Sequence, residues 1–481
     1  MELSVYQQTI MEWVKTGSGD AVVGGVAGCG KTTTIKLAAQ GIPAPLCLAF
    51  NKHNAESLKK AVPHGDCRTI HSLGYGALAQ IRRPQTNDYK YRDIVDQIID
   101  SNLRYYSNPE RQELARTAYD IVNLGRLRLV NFNDNNEIDA MCAHFGISYF
   151  GDELDIARTA IRQGMQMWDR SGEVDFTDML YIPVTQKLRV KKFDFIFVDE
   201  CQDLSPLQLA MVLMARSAGG RMLFVGDARQ AIMGFAGADH RSYYNIIDQL
   251  SATELPLSIC YRCPTSHLDM AREIIPQIEP RNDAPVGQIE WTNREKALGM
   301  IQNQDLIICR LTAPVVTMCL KLIASGKPAR VRGRAIGEGM IGNIKKIRKI
   351  EPEFSQFTDG LMTWYEQMKN KAMKKRNAES EIEKLMDMNE ALWAAYEWAN
   401  ATSYDGFISQ IDGMFSDKDS VITLSTIHRA KGLEGDRVFI LKPEKMALSH
   451  PKMMDWQKEQ EQNLKYVALT RAKQALYFVE D

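Results

Sequence analysis

Gly25 to Thr32 read GVAGCGKT, and this stretch constrains the fold more than any other in the chain. It fits G-x-x-x-x-G-K-[ST], a loop whose backbone N–H groups cradle phosphates at a helix N-terminus. The apolar run Ala21, Val22, Val23 precedes it and TTTIKLAAQ follows. That context predicts strand, loop and helix in succession, the unit from which an α/β core with a parallel sheet is built. Lys31 would reach the β- and γ-phosphates and the Thr32 hydroxyl would ligate Mg²⁺. Gly25, Gly28, Gly30 and Thr33 complete the expected cofactor-binding loop. Downstream, Phe195 to Asp203 reads FIFVDECQD. Four apolar residues running into a carboxylate pair predict a buried strand feeding a site, and the two stretches together predict nucleotide hydrolysis.

At 481 residues the chain exceeds one core and suits about two to four domains. Its apolar runs are too short to span a membrane. The start, MELSVYQQTI, lacks the basic and apolar regions of a signal peptide. The expectation is a cytoplasmic protein, or a nuclear one in a eukaryote. Nine cysteines are scattered, several in apolar strand-like runs where a reduced thiol packs as a small hydrophobe. Cys260 and Cys263 form a lone C-x-x-C without a second pair at zinc spacing, which reads as structural rather than metal-binding. With 59 basic against 60 acidic residues there is no global signal for a polyanion partner. Any nucleic-acid surface must be a local patch.

Strand-like and helix-like segments alternate through residues 20 to 78, then turn helical and polar. Strands return at FDFIFVDE and RMLFVGDA, and a second α/β unit runs through DLIICRLT, SVITLSTIH, DRVFILKP and ALYFVE. The predicted organisation is a first α/β domain over 1–80 and 171–252, interrupted by a helical insert at 81–170. A second α/β domain covers 253–338 and 416–481, interrupted by a small helical insert at 339–415.

Six further stretches join the first two: LAFNKHNAESL, RTIHSLGYGAL, VGDARQAIMGFAGA, LSICYRCP, VITLSTIHRAKGLEGDRVFIL and LKYVALTRAK. In this order they resemble the UvrD/Rep/PcrA-like branch of superfamily 1 DNA helicases, across both α/β cores. The resemblance implies two RecA-like parallel-sheet domains, ATP and Mg²⁺ as cofactors, and single-stranded DNA and single-strand/duplex junctions as substrates. The AFNK and TIHSLGY wording is closer to the F-box DNA helicase branch, although no F-box precedes it.

Carried over position by position, the resemblance assigns Gln7 of LSVYQQ to adenine, with Gln8 as the alternative. The amide geometry is the one by which Gln reads adenine in DNA. Asp199 would hold Mg²⁺ and Glu200 would activate the attacking water. Gln230 would sense the γ-phosphate, and Phe235 would stack on a DNA base, a contact worth about 1–3 kcal/mol whatever the sequence. Met233 and Ala236 depart from the family's usual Tyr and Arg. Arg262 would touch the γ-phosphate and Tyr261 would stack on adenine. Arg471 would be the arginine finger, and Glu434 would bind the ribose or link ATP to DNA. Asn51, Lys52, Thr69, His71, Thr426 and His428 would contact the DNA backbone, which positions a strand without reading its sequence. DFTDML, from Asp175 to Leu180, matches a further family signature with a structural reading. The basic cluster from Arg330 to Lys349 reads as a solvated face, with a duplex-facing patch as the alternative.

The KGLE wording implies 3′→5′ movement in replication, repair or recombination. Two rivals stand beside a helicase: a non-unwinding translocase that strips proteins such as recombinase filaments, and a partner-dependent ATP-gated DNA-binding subunit. A single-strand-binding protein or a recombinase would be the partner, and a monomer is expected. Ending at Asp481 just after a strand-like run, the chain predicts no appended nuclease.

Overall fold

A computed structural model describes residues 3–103, 106–234, 241–373, 378–415, 421–451 and 453–481. The chain divides into two units, Met1–Gly25 with Gly30–Ser258 and Val26–Cys29 with Ile259–Asp481.

The first unit is built on a six-stranded parallel sheet. Its strands are β1 (Ala21–Gly25), β2 (Leu46–Ala49), β3 (Asp66–Thr69), β4 (Phe193–Asp199), β5 (Arg216–Gly226) and β6 (Thr253–Leu257), in the order β3-β2-β4-β5-β1-β6. Ala21, Val22, Val23, Leu46, Phe197 and Val198 are fully buried. Near-continuous apolar runs suit a parallel sheet covered on both faces. Ligands of such sheets bind outside the carboxyl ends of the strands. Those ends carry the Gly-rich loop (β1), Phe50 and Asn51 (β2), Thr69 (β3), the Asp199–Glu200 pair (β4) and Asp227 (β5).

Helices α1 (Val5–Thr16), α2 (Lys31–Gln40), α3 (Lys52–Ala61) and α4 (Ile70–Ala79) accompany the sheet, and four more, α5 (Lys90–Asn102), α6 (Asn108–Arg128), α7 (Asn135–Phe145) and α8 (Gly151–Ser171), form the insert around a core that includes Ile94, Ile98, Ile121 and Ile138. Buried charge joins them to the sheet domain. The Arg126 guanidinium donates to both Asp175 oxygens at 2.8 and 2.7 Å and to Asp178 at 2.9 Å. Lys90 reaches Asp178 at 2.6 Å, and Arg126, Lys90 and Asp178 side chains are fully buried. The two aspartates of DFTDML therefore hold the insert on.

The second unit repeats the architecture with β7 (Gln288–Asn293), β8 (Leu306–Cys309), β9 (Ala329–Arg332), β10 (Ile422–Thr426), β11 (Gly435–Leu441) and β12 (Ala472–Glu480). The order is β7-β12-β11-β8-β10-β9, again all parallel. Its insert consists of helices Arg334–Ile350, Phe357–Met373, Ala378–Trp398 and Tyr404–Met414. Asp387 from the third of these accepts the backbone N–H groups of Thr312 and Ala313 at 2.8 Å each, capping the helix that follows β8.

The boundaries differ from the sequence expectation in two places. Thr253–Leu257 pairs with β1, Val23 opposite Leu255, so the first unit runs to Ser258 rather than ending at 252. As an edge strand with exposed Glu254 it lacks the apolar run that marks a central strand. The second insert opens at Arg334, five residues before 339, because the turn after β9 feeds a helix directly.

Candidate functional site

The helix that follows the Gly-rich loop, α2 (Lys31–Gln40), starts at Gly30 in the left-handed region (φ 82°, ψ 32°) with no side chain capping it. An uncapped N-terminus leaves backbone donors and the positive end of the helix dipole for an anion. Lys31 Nζ donates to the Gly25 carbonyl at 3.3 Å, folded back over the loop. Thr32 Oγ1 donates to Asp199 Oδ2 at 3.2 Å, so the two expected Mg²⁺ ligands already meet. A hydroxyl beside a carboxylate is the hard oxygen donor set that Mg²⁺ takes, and these residues fit the ion.

Burial first, and the neighbouring Glu200 charge second, push the Asp199 carboxyl up to about 7 despite Lys31 and Thr32. Bound Mg²⁺ would hold that carboxylate ionised. Glu200 itself sits in the left-handed region, φ 55° and ψ 44°. A non-glycine residue there stores about 1–3 kcal/mol of strain, which persists only where the surroundings impose it. One of those constraints is Gln202, a residue that the sequence reading did not single out. Its Nε2 donates to Glu200 Oε2 at 2.5 Å while its Oε1 accepts from the Asp227 N–H at 3.0 Å. Gln230 Nε2 in turn donates to Asp227 Oδ2 at 2.8 Å. A chain of hydrogen bonds thus runs from Glu200 through Gln202 and Asp227 to Gln230. A Cβ at Gly226 would come within 2.5 Å of Gln202 Oε1, so only glycine lets that link pass.

Of the two candidate adenine ligands, Gln7 is buried and Gln8 exposed. Gln7 Nε2 donates to Thr34 Oγ1 on α2 at 3.2 Å, and its Oε1 accepts the Ser4 N–H at 3.1 Å in a capping box. Gln8 Nε2 donates to the Leu3 carbonyl at 3.0 Å, and the side chain lies on the outer face of its helix.

In the second unit the Arg262 side chain pairs with Glu434 (Nε to Oε2, 2.8 Å) and donates to the Thr470 carbonyl at 3.2 Å. Lys473 takes the other Glu434 oxygen at 2.5 Å. Burial raises Glu434, but Lys473 and Arg262 outweigh it and hold the carboxyl below its ordinary range. Arg471 is buried to 1% exposure, donating to the Val467 and Leu433 carbonyls and to Thr470 Oγ1 at 2.8, 3.2 and 3.1 Å. Glu434 thereby gathers Arg262 and Lys473 on its two oxygens. Tyr261 stays exposed. Val26–Cys29 group with this unit, and the Ala27 N–H donates to the Tyr466 hydroxyl at 2.7 Å. Cys260 and Cys263 are free and buried. No cluster of three or more His, Cys, Asp or Glu among the described residues could hold a metal ion.

The expected DNA contacts of the first unit lie at neighbouring strand ends. Asn51 and Thr69 cap the helices after β2 and β3 through the Asn54 and Ser72 N–H groups. Lys52 projects into solvent, its side chain 89% exposed. The His71 ring stacks on Phe176, centroids 3.8 Å apart and planes 19° apart, and burial pushes His71 down to about 4. Phe176 is 56% exposed and Phe50 42%. The sequence reading assigned neither exposed aromatic a role, although Phe176 lies within DFTDML and Phe50 directly precedes Asn51. In the second unit Thr426 ends β10, and His428 is pushed down to about 3 by burial and then by Arg310, Lys384 and Arg429. Of the basic cluster, Lys345, Lys346, Arg348 and Lys349 are exposed, and Arg348 pairs with Asp405 at 2.9 Å. Phe235 and Ala236 lie outside the described residues, and Met233 is half-buried.

A family model described as the UvrD-like helicase C-terminal domain matches residues 44–480. The F-box DNA helicase protein 1 of Schizosaccharomyces pombe is 24% identical over 502 aligned positions, covering 94% of this chain and 54% of that protein. DNA helicase II of Haemophilus influenzae is 29% identical over 171 positions, 34% of this chain and 23% of its own length. The PcrA helicase of Leuconostoc citreum is 29% identical over 136 positions, 26% and 18% of the two chains. This chain spans about half the length of the first relative and less of the others. No helix among the described residues is long and apolar enough to cross a membrane.

Proposed function

Because the chain belongs to the UvrD-like helicase family, we propose that it is an ATP- and Mg²⁺-dependent motor that moves 3′→5′ on single-stranded DNA and opens duplex ahead of it. The observation that carries the hydrolytic part is the linked set at the carboxyl ends of β1, β4 and β5. Thr32 meets Asp199 there, and Glu200 is tied through Gln202 and Asp227 to Gln230.

In this reading Lys31 and the open N-terminus of α2 bind the phosphates. Thr32 and Asp199 hold Mg²⁺, which supplies charge neutralisation on the phosphate oxygens. Glu200 accepts the proton of the attacking water, a role typically worth about 10²–10⁴-fold. Gln230 hydrogen-bonds the γ-phosphate, and Arg262 and Arg471 neutralise its developing charge. An arginine in that role contributes about 10³–10⁵ in rate. Arg471 would leave its carbonyl partners to do so. Gln7 would exchange its internal partners for adenine, and Tyr261 would stack on it. On the DNA face Asn51, Lys52, Thr69, Thr426 and His428 position the backbone, while Phe50 and the His71–Phe176 stack offer sequence-blind contact to bases.

Duplex stacking averages roughly 1.4 kcal/mol per base-pair step, so unwinding must be driven by hydrolysis. The test is ATPase rate with and without single-stranded DNA, with unwinding of 3′-tailed and 5′-tailed duplexes and E200Q as the control. Stimulated hydrolysis with unwinding from the 3′ tail alone is expected. Unwinding from the 5′ tail alone would reverse the polarity. A second reading, a non-unwinding translocase that displaces proteins from single strands, is favoured by the compact second insert of four helices between Arg334 and Met414. Stimulated hydrolysis with protein displacement and no strand separation on either tail would select it.

A further inference from the structure

Cys47 on β2 and Cys67 on β3 are direct partners in the parallel ladder. Register partners on adjacent strands project to the same face and lie about 4.7–4.9 Å apart at the backbone, within the Cα separation that a disulfide spans. The Cys67 thiol donates to the Val62 carbonyl at 3.7 Å, and Cys47 is the thiol beside it across the ladder. They differ in surroundings. Cys47 is fully buried, whereas Cys67 lies on the edge strand, is half-buried and lines a cavity of about 470 Å³. That cavity is also lined by Lys59, His64, Arg68 and Lys191, with Asp66 as its one carboxylate. Asp66 is engaged by Arg68 at 2.6 Å and faces Lys191 at 3.7 Å. An accessible thiol in cationic surroundings with a second thiol behind it is the arrangement of a reactive cysteine and its resolving partner.

We propose that Cys47 and Cys67 form a peroxide-responsive dithiol that closes to a reversible disulfide. The Cys67 thiolate attacks a hydroperoxide oxygen, and the O–O bond breaks. Cys67 becomes a sulfenic acid, and the leaving oxygen departs as water or an alcohol after taking a proton. Cys47 then attacks the Cys67 sulfur as its thiol proton passes to the departing hydroxide, so the S–S bond forms, the S–O bond breaks and a second molecule of water leaves. Two electrons move from the two sulfurs to the peroxide. The neighbouring Cys47 thiol, followed by the Lys59 charge, lowers the Cys67 thiol against burial and Asp66, while Cys67 and burial raise Cys47. Attack therefore begins at Cys67. The crosslink would fix β2 to β3 just beneath Phe50–Lys52 and Thr69–His71, but the chemistry stands independently of any DNA reading.

The test treats the full chain with hydrogen peroxide and maps its peptides without reduction. A Cys47–Cys67 crosslink that dithiothreitol reverses is expected as the first disulfide to form. In C47S, dimedone should trap a sulfenic acid at Cys67, because the resolving thiol is gone. Labelling of Cys67 no faster than that of the buried cysteines, or dimedone trapping in the unmodified chain with no crosslink, would overturn the proposal. The peptide map of the unmodified chain decides the matter even if C47S fails to fold.

Discussion

Glu200 and Gln202 show what a motif leaves unsaid. The acidic pair was legible because four apolar residues deliver it from a buried strand, and the Lys-Thr of the loop because its spacing is fixed by phosphate geometry. Gln202 was not legible, since its importance lies in reaching Asp227, 25 residues away in sequence. Removing it should cost orientation more than binding. For Gln202→Ala the expected outcome is a fall in ATPase kcat of about 10²-fold, the scale of a small misplacement of a reacting group, with KM for ATP little changed in steady-state assays. A KM rise with kcat intact would mean that Gln202 serves nucleotide binding instead. His71 and His428 carry a pH signature. Burial depresses His71 to about 4 and His428 to about 3, from an ordinary 6.5. Below pH 6.5 the unfolded chain takes up protons that the folded chain refuses, so stability is full above 6.5 and declines as pH falls toward those values. Thermal melts between pH 7 and 4 should show that decline, and H428Q should flatten it. Because both rings are neutral at pH 7, H71A should weaken single-strand binding without altering its salt slope. K52A should reduce that slope by about 0.7, the value for one phosphate contact on a single strand.

At the scale of elements, legibility followed burial on both faces. The central strands β4, β5, β8 and β11 announce themselves as apolar runs. The edge strand β6, TELPL, does not, and its place beside β1 is a tertiary fact that periodicity cannot contain. The first helical insert was legible as helix, but its attachment was not. Nothing in the local pattern of α6 marks Arg126 as a fully buried cation braced by Asp175 and Asp178, with the Tyr91 ring 3.8 Å from its guanidinium carbon. Deleting one member of such a network leaves an opposite charge buried without compensation. R126M should therefore lower the unfolding free energy by about 3–5 kcal/mol, read from urea denaturation. R126K, which keeps the charge but loses the bidentate fork to Asp175, should fall between R126M and the parent. Equal losses for the two variants would show that the fork, not the charge, is what matters.

At the scale of the molecule, the sequence placed two α/β cores in order, and each has its own buried cluster. Val22, Leu48 and Phe224 belong to the first, and Ile307, Val331 and Phe439 to the second. What the sequence could not divide was the Gly-rich loop itself. Gly25 and Gly30 onward count with the first unit, whereas Val26–Cys29 count with the second, Ala27 bonded to Tyr466. Cores with separate apolar clusters can melt separately, so calorimetry should resolve more than one transition. Ligand that binds only folded protein stabilises it by RT ln(1 + [L]/Kd), about 2.7 kcal/mol at a hundredfold excess over Kd. Lys31, Thr32 and Asp199 all belong to the first unit, so Mg²⁺–ADP should raise the transition of that unit by an amount of this order. K31M should abolish the rise, measured against that variant's own transition in the absence of nucleotide. A rise that persists in K31M would place the phosphates elsewhere than on the Gly-rich loop.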